Sequence, residues 1–289
     1  MTAPPCWCGR ETSHVNQHQE RHRAKKSLGQ NFLIDPNLQR KIVAALDPSP
    51  DDEILEIGPG LGALTDHLVG TVARLVLVEL DDSLADRLQK RFADRADVAV
   101  VHGDFLDLQL EALSDEPAGL KVVGNIPYNI TTPILFSLLE RQPRPSRIVL
   151  MVQREVADRI LALPGSKTYG ALAIGVQSVA SVERVLNVGR AAFRPAPDVD
   201  SAVVRIIPLV PPPLSTQQEH DLRALTRAAF GQRRKQFQKI LRNTYSMSHD
   251  EVADVAEATG FDLRQRPETF SPDQFVRLAS ALGRGANTD

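Results

Sequence analysis

The chain has 289 residues, of which 42% are hydrophobic and 24% charged, with a formal net charge of −2 at pH 7. This length allows one large domain with a full core and a smaller second domain. No apolar run reaches the roughly 18 residues that cross a bilayer, and the polar N-terminus lacks the apolar stretch of a secretory signal. The two cysteines, Cys6 and Cys8, lie in that N-terminal tail, which excludes a disulfide scaffold and predicts a reducing, cytoplasmic location.

Residues 1–23 predict a disordered extension, because they are polar, rich in histidine and carry two adjacent prolines. The two cysteines together with His14, His18 and His22 could in principle bind a metal ion. However, a C-x-C pair followed by histidines four apart does not match a zinc-binding spacing, and no core surrounds it. We therefore predict no metal site.

Short apolar runs alternate with amphipathic stretches over the next part of the chain. The runs have the length and character of buried parallel strands, whereas PNLQRKIVAAL and DSLADRLQKRFAD have helical spacing. This alternation predicts an α/β fold with a doubly wound, mostly parallel sheet. Five parallel strands are predicted at EILEI (53–57), RLVLVEL (74–80), VAVVHG (98–103), KVVGNI (121–126) and RIVLMVQ (147–153). Two later runs, VERVLNVG and SAVVRIIPL, lack a long helix between them and predict a hairpin at the sheet edge, giving seven strands.

The segment PLVPPPLS (208–215) marks a domain boundary, because three consecutive prolines continue neither a strand nor a helix. Beyond it, four amphipathic stretches predict a small all-helical domain. The predicted organisation is thus an N-terminal extension at 1–23, a sheet domain at 24–210 and a helical domain at 214–285.

Basic residues are clustered despite the near-neutral total. A local basic patch can bind a polyanion whatever the net charge of the chain, although a solvated helix face is the simpler interpretation of any single cluster. One cluster contains Arg21, Arg23, Lys25 and Lys26, and the other contains Arg233, Arg234, Lys235, Lys239 and Arg242.

The segment LEIGPGLGALT (55–65) places a glycine-rich turn between a predicted strand and a predicted helix. Glycines let the backbone turn tightly and approach a ligand closely. Gly58, Gly60 and Ala63 fit the dinucleotide-binding fingerprint, and Glu79 follows about 20 residues later, where it could bind ribose hydroxyls. The pattern alone does not separate NAD from other adenosine-containing cofactors, and a purely structural turn also stays open.

Two further strand ends carry polar residues, since Asp104 follows the third strand and Asn125 ends the fourth. Ligands of open parallel sheets bind at the carboxyl ends of the strands, near the point where strand order reverses. An acid after the third strand suits hydrogen bonding to an exocyclic amine. The hydride-transfer partners of a dehydrogenase, typically a histidine or a tyrosine–lysine pair, do not stand out.

Seven motifs occur in an order that identifies a family. They are KSLGQNFLID (26–35), EIGPGLGALT (56–65), VELD (78–81), GDFL (103–106), GNIPYNITTPIL (124–135), FRPAPDVDSAVV (193–204) and FGQRRKQF (230–237). Over about residues 25–282, the chain resembles the Rossmann-like S-adenosylmethionine-dependent methyltransferases. More narrowly, it is similar to the small-subunit ribosomal RNA adenine N6,N6-dimethyltransferases, the KsgA/RsmA family.

This resemblance implies S-adenosylmethionine as the cofactor. It assigns Asn31 and Leu33 to a segment that caps the pocket, Gly58 to the methionine side, Glu79 to the ribose hydroxyls, Asp104 to the adenine amine and Asn125 to the region where the methyl group meets its acceptor. The implied substrate is a pair of adjacent adenosines in the hairpin near the 3′ end of small-subunit ribosomal RNA, within an assembling subunit. The helical domain and RRKQFQK would contact RNA phosphates.

The segment NIPYN (125–129) is predicted to contain the catalytic residues. The side-chain oxygen of Asn125 and the backbone carbonyl of Pro127 would accept hydrogen bonds from the target amine and so stabilise its developing positive charge. Tyr128 would stack on the flipped base, and Phe193 would clamp its other face. Taken without the other motifs, the segment is equally compatible with a turn that stiffens a strand–helix junction.

Two other functions stay open from the sequence. One is a methyltransferase that acts on adenine in another nucleic acid or on protein glutamine, although such enzymes lack GQNFL and F-x-P-x-P. The other is a non-catalytic RNA-binding factor of ribosome assembly, although such a descendant would tend to lose Glu79, Asp104 or Asn125. We expect a monomer that does not interact with a membrane.

Overall fold

The computed structural model describes residues 24–25 and 28–285, so the predictions for the extension at 1–23 and for its cysteines and histidines lie outside the described residues. The strands are β1 Phe32–Leu33, β2 Glu53–Ile57, β3 Arg74–Glu79, β4 Val98–His102, β5 Lys121–Asn125, β6 Arg147–Gln153, β7 Ala180–Val188, β8 Phe193–Arg194 and β9 Ser201–Pro208. The helices are α1 Pro36–Leu46, α2 Thr65–Leu68, α3 Asp82–Arg91, α4 Thr131–Glu140, α5 Arg154–Ile160, α6 Ala171–Gln177, α7 Thr216–Gly231, α8 Phe237–Tyr245, α9 His249–Thr259 and α10 Pro272–Gly285.

Seven strands form one sheet in the order β4-β3-β2-β5-β6-β9-β7. The first five strands in this order are parallel, and β9 runs antiparallel between β6 and β7. The predicted seven-stranded, mostly parallel sheet and its edge hairpin are therefore confirmed. Strand order reverses between β2 and β5, so the crevice expected to bind a ligand lies at the carboxyl ends of these two strands and their neighbours.

The central strands are buried on both faces, which explains their near-continuous apolar sequence. Leu55, Val122 and Ile148 belong to the core on one face, and Ile54 and Val149 belong to the core on the other. Helix α1 packs against the second core and α4 against the first. This sandwich fixes the strand ends, and hence the loops that follow them, in a rigid frame.

Two local features differ from the sequence-based expectation. The helix after the glycine-rich loop, α2, is only one turn long. Residues 60–64 form turns instead of helix; in one of them Gly62 N donates to Pro59 O at 2.9 Å. In addition, β1 and β8 form a small antiparallel sheet with Leu33 opposite Phe193. This pairing ties the segment before α1 to the loop before β9.

The C-terminal helices pack directly on the sheet domain. The Tyr169 ring lies 6.0 Å from the Phe230 ring of α7, which lies 5.9 Å from the Phe275 ring of α10. The Tyr169 hydroxyl also donates to the Phe270 carbonyl at 2.8 Å. One apolar cluster thus continues from the sheet domain into the helices. Across residues 24–25 and 28–285, no helix has both the length and the apolar character of a membrane span.

A buried ion pair joins the two parts of the chain. Arg144, in the loop before β6, donates to the carboxylate of Glu219 in α7, and both side chains are about 95% buried. Arg223 lies 3.3 Å from the other carboxylate oxygen of Glu219 and also pairs with Glu140 of α4. The C-terminal helices are therefore anchored to the sheet by charge as well as by apolar contact.

Candidate active site

A cavity of about 420 Å³ lies at the carboxyl ends of β2, β3, β4 and β5. Its walls come from the loops that follow these strands, and residues 28–34 cover it from one side. This volume is within the range of small-molecule and cofactor sites. The sheet therefore brings the predicted strand-end residues Gly58, Glu79, Asp104 and Asn125 into one cavity.

The glycine-rich loop after β2 forms one wall. Gly58 and Gly60 have φ angles of +67° and +59°, a region that strains residues with a Cβ. A Cβ on Gly60 would also lie 3.2 Å from the ring of Phe32. The loop is held by a hydrogen bond of 2.9 Å from Gly58 N to Val78 O. Its backbone is therefore shaped for close approach by a ligand.

Glu79 holds that loop from the end of β3. One carboxylate oxygen accepts from Gly60 N and the other from Asp81 N, both at 2.9 Å. Burial raises the pKa of Glu79 above its usual value. The sequence predicted a contact with ribose hydroxyls, and the structure adds that this carboxylate organises the loop beside it.

Asp104 lies at the end of β4 and lines the same cavity. Its Oδ1 accepts from Leu106 N at 2.9 Å, which caps a short 3-10 turn and fixes the carboxylate. Leu80 and Ile126 add apolar surface to the lining. Two fixed carboxylates, an open glycine backbone and apolar side chains together fit an adenosine-containing cofactor, because each supplies a partner for its hydroxyls, amine or ring.

Asn125 connects the end of β5 to the covering segment. Its Nδ2 donates to the carbonyl of Asn31 at 3.1 Å, so that its Oδ1 is directed elsewhere. Asn31 in turn donates from Nδ2 to the carbonyl of Gly29 at 3.0 Å. Leu33 is only 3% exposed and packs in the core, so its side chain offers the cavity little surface. Both predicted capping residues, Asn31 and Leu33, line the cavity.

The carbonyl oxygen of Pro127, which was expected to accept from the target amine, already has hydrogen-bond partners in the structure. It accepts hydrogen bonds from Ile130 N and Thr131 Oγ1, both at 3.2 Å, which close the turn immediately before α4. These two donors occupy both lone pairs of the oxygen. The neighbouring carbonyl of Ile126 accepts no hydrogen bond from the described part of the chain, and Ile126 lines the cavity. Sequence reasoning chose the carbonyl of Pro127 instead, because the sequence does not show which of two neighbouring backbone oxygens already has partners.

Tyr128 is half-buried at the cavity, and its hydroxyl is hydrogen-bonded to Ser201 Oγ at the start of β9. Burial raises the pKa of Tyr128, so the phenol stays protonated at neutral pH. Ser201 was not among the predicted site residues, although it lies within the quoted motif FRPAPDVDSAVV. Its role here is to fix the orientation of the Tyr128 ring.

Phe193 does not reach the cavity. Its side chain is fully buried in the core, beside Leu33 and Val203, and does not line the cavity. The physical reason is the β1–β8 pairing, which turns Phe193 inward and leaves its neighbour Arg194 exposed. The expected clamp on the base is therefore not formed in this structure.

Glu56 is a buried cavity residue that sequence reasoning missed. It lies one residue before Ile57 at the end of β2, is 2% exposed and accepts a 2.7 Å hydrogen bond from Thr65 Oγ1. Burial raises its pKa from 4.5 to about 8. The signal available in the sequence was an acid inside an otherwise apolar strand.

Glu56→Gln is expected to change the pH dependence of stability. Because the folded pKa lies above the unfolded one, the wild type loses stability as pH rises from about 4.5 to about 8, by at most about 1.4 kcal/mol per pH unit. The glutamine does not titrate, so the stability of the variant relative to the wild type should increase as the pH rises over this range. Denaturant unfolding of the protein without cofactor at pH 5 and pH 8 measures the difference. If the free energies of unfolding of the two proteins differed by the same amount at pH 5 and at pH 8, the raised pKa of Glu56 would be contradicted.

The second basic cluster is divided by the structure. Arg233 donates to the carbonyls of Ser166 and Lys167 at 3.0 and 2.8 Å and lies 3.5 Å from Glu268, so it is a structural residue. The cluster's other members are exposed: Arg234, Lys235, Lys239 and Arg242. Of the first cluster, only Lys25 is described.

Metal ligands do not converge anywhere in residues 24–25 and 28–285. No group of three or more histidine, cysteine, aspartate or glutamate side chains is placed there to hold an ion.

The sheet order, the glycine loop and the polar strand ends define a Rossmann-like, S-adenosylmethionine-dependent methyltransferase. The profile of the family described as ribosomal RNA adenine dimethylase matches residues 21–282. The chain belongs to the ribosomal RNA adenine dimethylase family.

Individual relatives cover nearly the whole chain. It is 46% identical over 277 residues to a ribosomal RNA small subunit methyltransferase A of Ralstonia nicotianae, a match that covers 94% of each chain. A protein of the same name from Geobacter metallireducens is 42% identical over 263 residues, covering 90% of this chain and 96% of the relative.

Solved structures show the same architecture. A dimethyladenosine transferase from Plasmodium falciparum has a TM-score of 0.75 and 25% identity, covering 88% of this chain and 98% of that one. The 23S rRNA methyltransferase ErmE has a TM-score of 0.66 and 26% identity, covering 88% of this chain and 100% of that one.

Proposed function

We propose that this protein transfers methyl groups from S-adenosylmethionine to N6 of two adjacent adenosines in the 3′-terminal hairpin of small-subunit ribosomal RNA. The product would be N6,N6-dimethyladenosine, formed during subunit biogenesis. One observation carries the proposal: the turn Asn125–Tyr128 opens into the same cavity as Glu79 and Asp104. The turn proposed to bind adenine and the residues proposed to bind the cofactor thus line one cavity.

The choice of small-subunit RNA is supported by the relatives. Those that are 42–46% identical are named small-subunit methyltransferases, whereas the 23S rRNA methyltransferase is 26% identical. We further propose that the protein acts as a monomer in the cytoplasm, on the assembling subunit.

The turn would stabilise the attacking amine through hydrogen bonds. S-adenosylmethionine, when bound, supplies an electrophilic methyl group. The adenine N6 amine is a poor nucleophile, because its lone pair is delocalised into the ring. Asn125 Oδ1 would accept one N–H, and the carbonyl of Ile126, which accepts no hydrogen bond from the described residues, would take the role first expected of Pro127. Two fixed acceptors favour the nitrogen as it becomes tetrahedral and positively charged.

Tyr128 would bind the flipped base by stacking. Its hydroxyl is held by Ser201, so the ring is oriented before the base arrives. Such preorganisation limits the conformational entropy lost on binding. Pro127 would contribute a rigid backbone rather than an acceptor, since its carbonyl already accepts two hydrogen bonds in the turn before α4.

The exposed basic side chains of α8 would contact RNA phosphates. Lys239 and Arg242 are three residues apart on the helix and therefore neighbours on its surface, opposite the buried Phe237, Ile240 and Leu241. Their exposure makes them available to a polyanion, in contrast to Arg233.

The double variant Lys239→Gln/Arg242→Gln is expected to weaken binding to ribosomal RNA. The slope of log affinity against log salt concentration should become shallower by about 1 to 2, because two phosphate contacts are lost. The matched control is Arg264→Gln/Arg266→Gln, which removes the same charge from exposed positions elsewhere in the helical domain. A filter-binding salt titration measures both. Equal slopes in the two double variants would contradict a contact localised to α8.

Labelled S-adenosylmethionine tests the substrate class. The protein is incubated separately with immature small subunits, naked small-subunit RNA, large-subunit RNA, duplex DNA and a ribosomal protein mixture. We expect label in small-subunit RNA. Label confined to DNA or protein would overturn the proposal, and an absence of label in every arm would support a non-catalytic assembly factor.

A further inference from the structure

The segment that covers the cavity, of which residues 24–25 and 28–34 are described, is fastened to the end of β3 by a buried carboxylate. The side chain of Asp81 has no exposed surface. Its Oδ1 accepts from Lys25 Nζ at 2.9 Å, and its Oδ2 accepts from Gln30 Nε2 at 2.8 Å. Lys25 N also donates to Gln30 Oε1 at 2.7 Å. Two positions of the covering segment, five residues apart, are thus tied to one carboxylate and to each other.

The same carboxylate is coupled to the cavity wall. Asp81 N donates to Glu79, whose other oxygen holds Gly60 of the glycine-rich loop. Oδ1 of Asp81 also caps α3, accepting from the backbone N–H and hydroxyl of Ser83 at 3.0 and 2.7 Å. Although burial opposes ionisation, the hydrogen bonds from Ser83, Lys25 and Gln30 hold the pKa of Asp81 well below its usual range. These contacts therefore favour the ionised carboxylate.

From this anchor the covering segment runs across the cavity to its opposite wall. Its next fixed point is the carbonyl of Asn31, which accepts from Asn125 at the end of β5. The segment then enters β1, where Ile34 N donates to Ala192 O at 2.8 Å. The Lys25 side chain is 43% exposed, so the anchor on the Asp81 side is the more accessible end of the cover. Breaking it frees the part of the cover that lies over the β3 side of the cavity.

We propose that Asp81 is a positioning residue, which holds residues 28–34 over the cavity as a latch, through Lys25 and Gln30, and so determines how tightly S-adenosylmethionine is held. It does not act on the reacting atoms itself. The proposal rests on S-adenosylmethionine as the occupant of the cavity, and wild-type protein that does not bind this compound would refute that premise rather than the latch.

Asp81→Asn breaks the charge attraction but keeps an oxygen that can cap α3. Lys25→Gln breaks the same contact from the covering segment, without touching the cap or Glu79. Each variant should raise the Kd for S-adenosylmethionine about tenfold, the loss typical of one hydrogen bond to a charged group. Cofactor dissociation should be faster, whereas kcat at saturating cofactor should stay within about twofold of the wild type. Calorimetric titration, stopped-flow displacement and steady-state kinetics measure these quantities.

Three comparisons separate a latch from a general loss of stability. The double variant should bind no more weakly than Asp81→Asn alone, because the contact that Lys25→Gln removes is already lost in that variant. Lys25→Arg, which keeps the charge, should restore most of the affinity. Asp97→Asn, which breaks the exposed pair with Arg95 away from the cavity, should leave Kd unchanged.

Three results would overturn the proposal. The first is an unchanged Kd for S-adenosylmethionine in the Lys25→Gln variant, which remains measurable even if Asp81→Asn fails to fold. The second is a fall in kcat with an unchanged KM for S-adenosylmethionine in either variant. The third is additive effects on Kd in the double variant, which would show that the two residues act separately.

Discussion

Asn125→Ala is expected to lower kcat for methyl transfer by about 10²–10³-fold, the loss typical when one preorganised acceptor or donor is removed from a reacting centre. The side-chain oxygen of Asn125 is the acceptor that the geometry leaves available, since its Nδ2 is engaged by the Asn31 carbonyl. Single-turnover transfer from labelled S-adenosylmethionine to immature small subunits measures the chemical step.

Affinity for the cofactor should fall far less than kcat in this variant, because Glu79, Asp104 and the glycine-rich loop stay in place. The matched control is Asn187→Ala on the exposed edge strand β7, which removes the same side chain away from the cavity. A rate within a few-fold of the wild type for Asn125→Ala would contradict the catalytic assignment.

Glu219→Leu is expected to lower the free energy of unfolding by about 3–5 kcal/mol, because it leaves the guanidinium of Arg144 buried without a counter-ion. Arg144 is already poorly satisfied, since its Nη1 lacks a hydrogen-bond partner within the described part of the chain. Urea unfolding followed by circular dichroism measures the change.

The double variant Arg144→Met/Glu219→Leu provides the control for that experiment. Replacing both charges with apolar side chains removes the uncompensated ion, so most of the lost stability should return. If the double variant were as unstable as Glu219→Leu alone, shape and packing at this site, rather than charge, would determine the effect.

The sheet could be predicted well because its signal is local. Each parallel strand is a continuous apolar run, and the observed strands begin where predicted and end within one residue of the predicted ends. The polar residues just after these runs, such as Glu79 and Asp104, necessarily meet at one edge of a parallel sheet. The fold class and the position of the cavity could therefore be predicted from short stretches of the sequence.

The features that sequence reasoning missed depend on pairings between distant segments. Tyr128 and Ser201 are 73 residues apart in the sequence, and Lys25 and Asp81 are 56 apart. No local pattern in a single sequence indicates that such distant residues are in contact. The burial of Phe193 likewise depends on β1 pairing with β8. The two hydrogen bonds accepted by the Pro127 carbonyl were also not predictable, because residue type does not show which backbone oxygens already have partners.

The most direct test is to identify the modified nucleoside and its position. Small subunits that lack adenine dimethylation are incubated with the protein and S-adenosylmethionine, and their RNA is digested and analysed by mass spectrometry. We expect N6,N6-dimethyladenosine at two adjacent positions of the 3′-terminal hairpin, and its absence with the Asn125→Ala variant. Methylation at another atom, at another site in the RNA, or at the same level with the variant would contradict the proposed reaction.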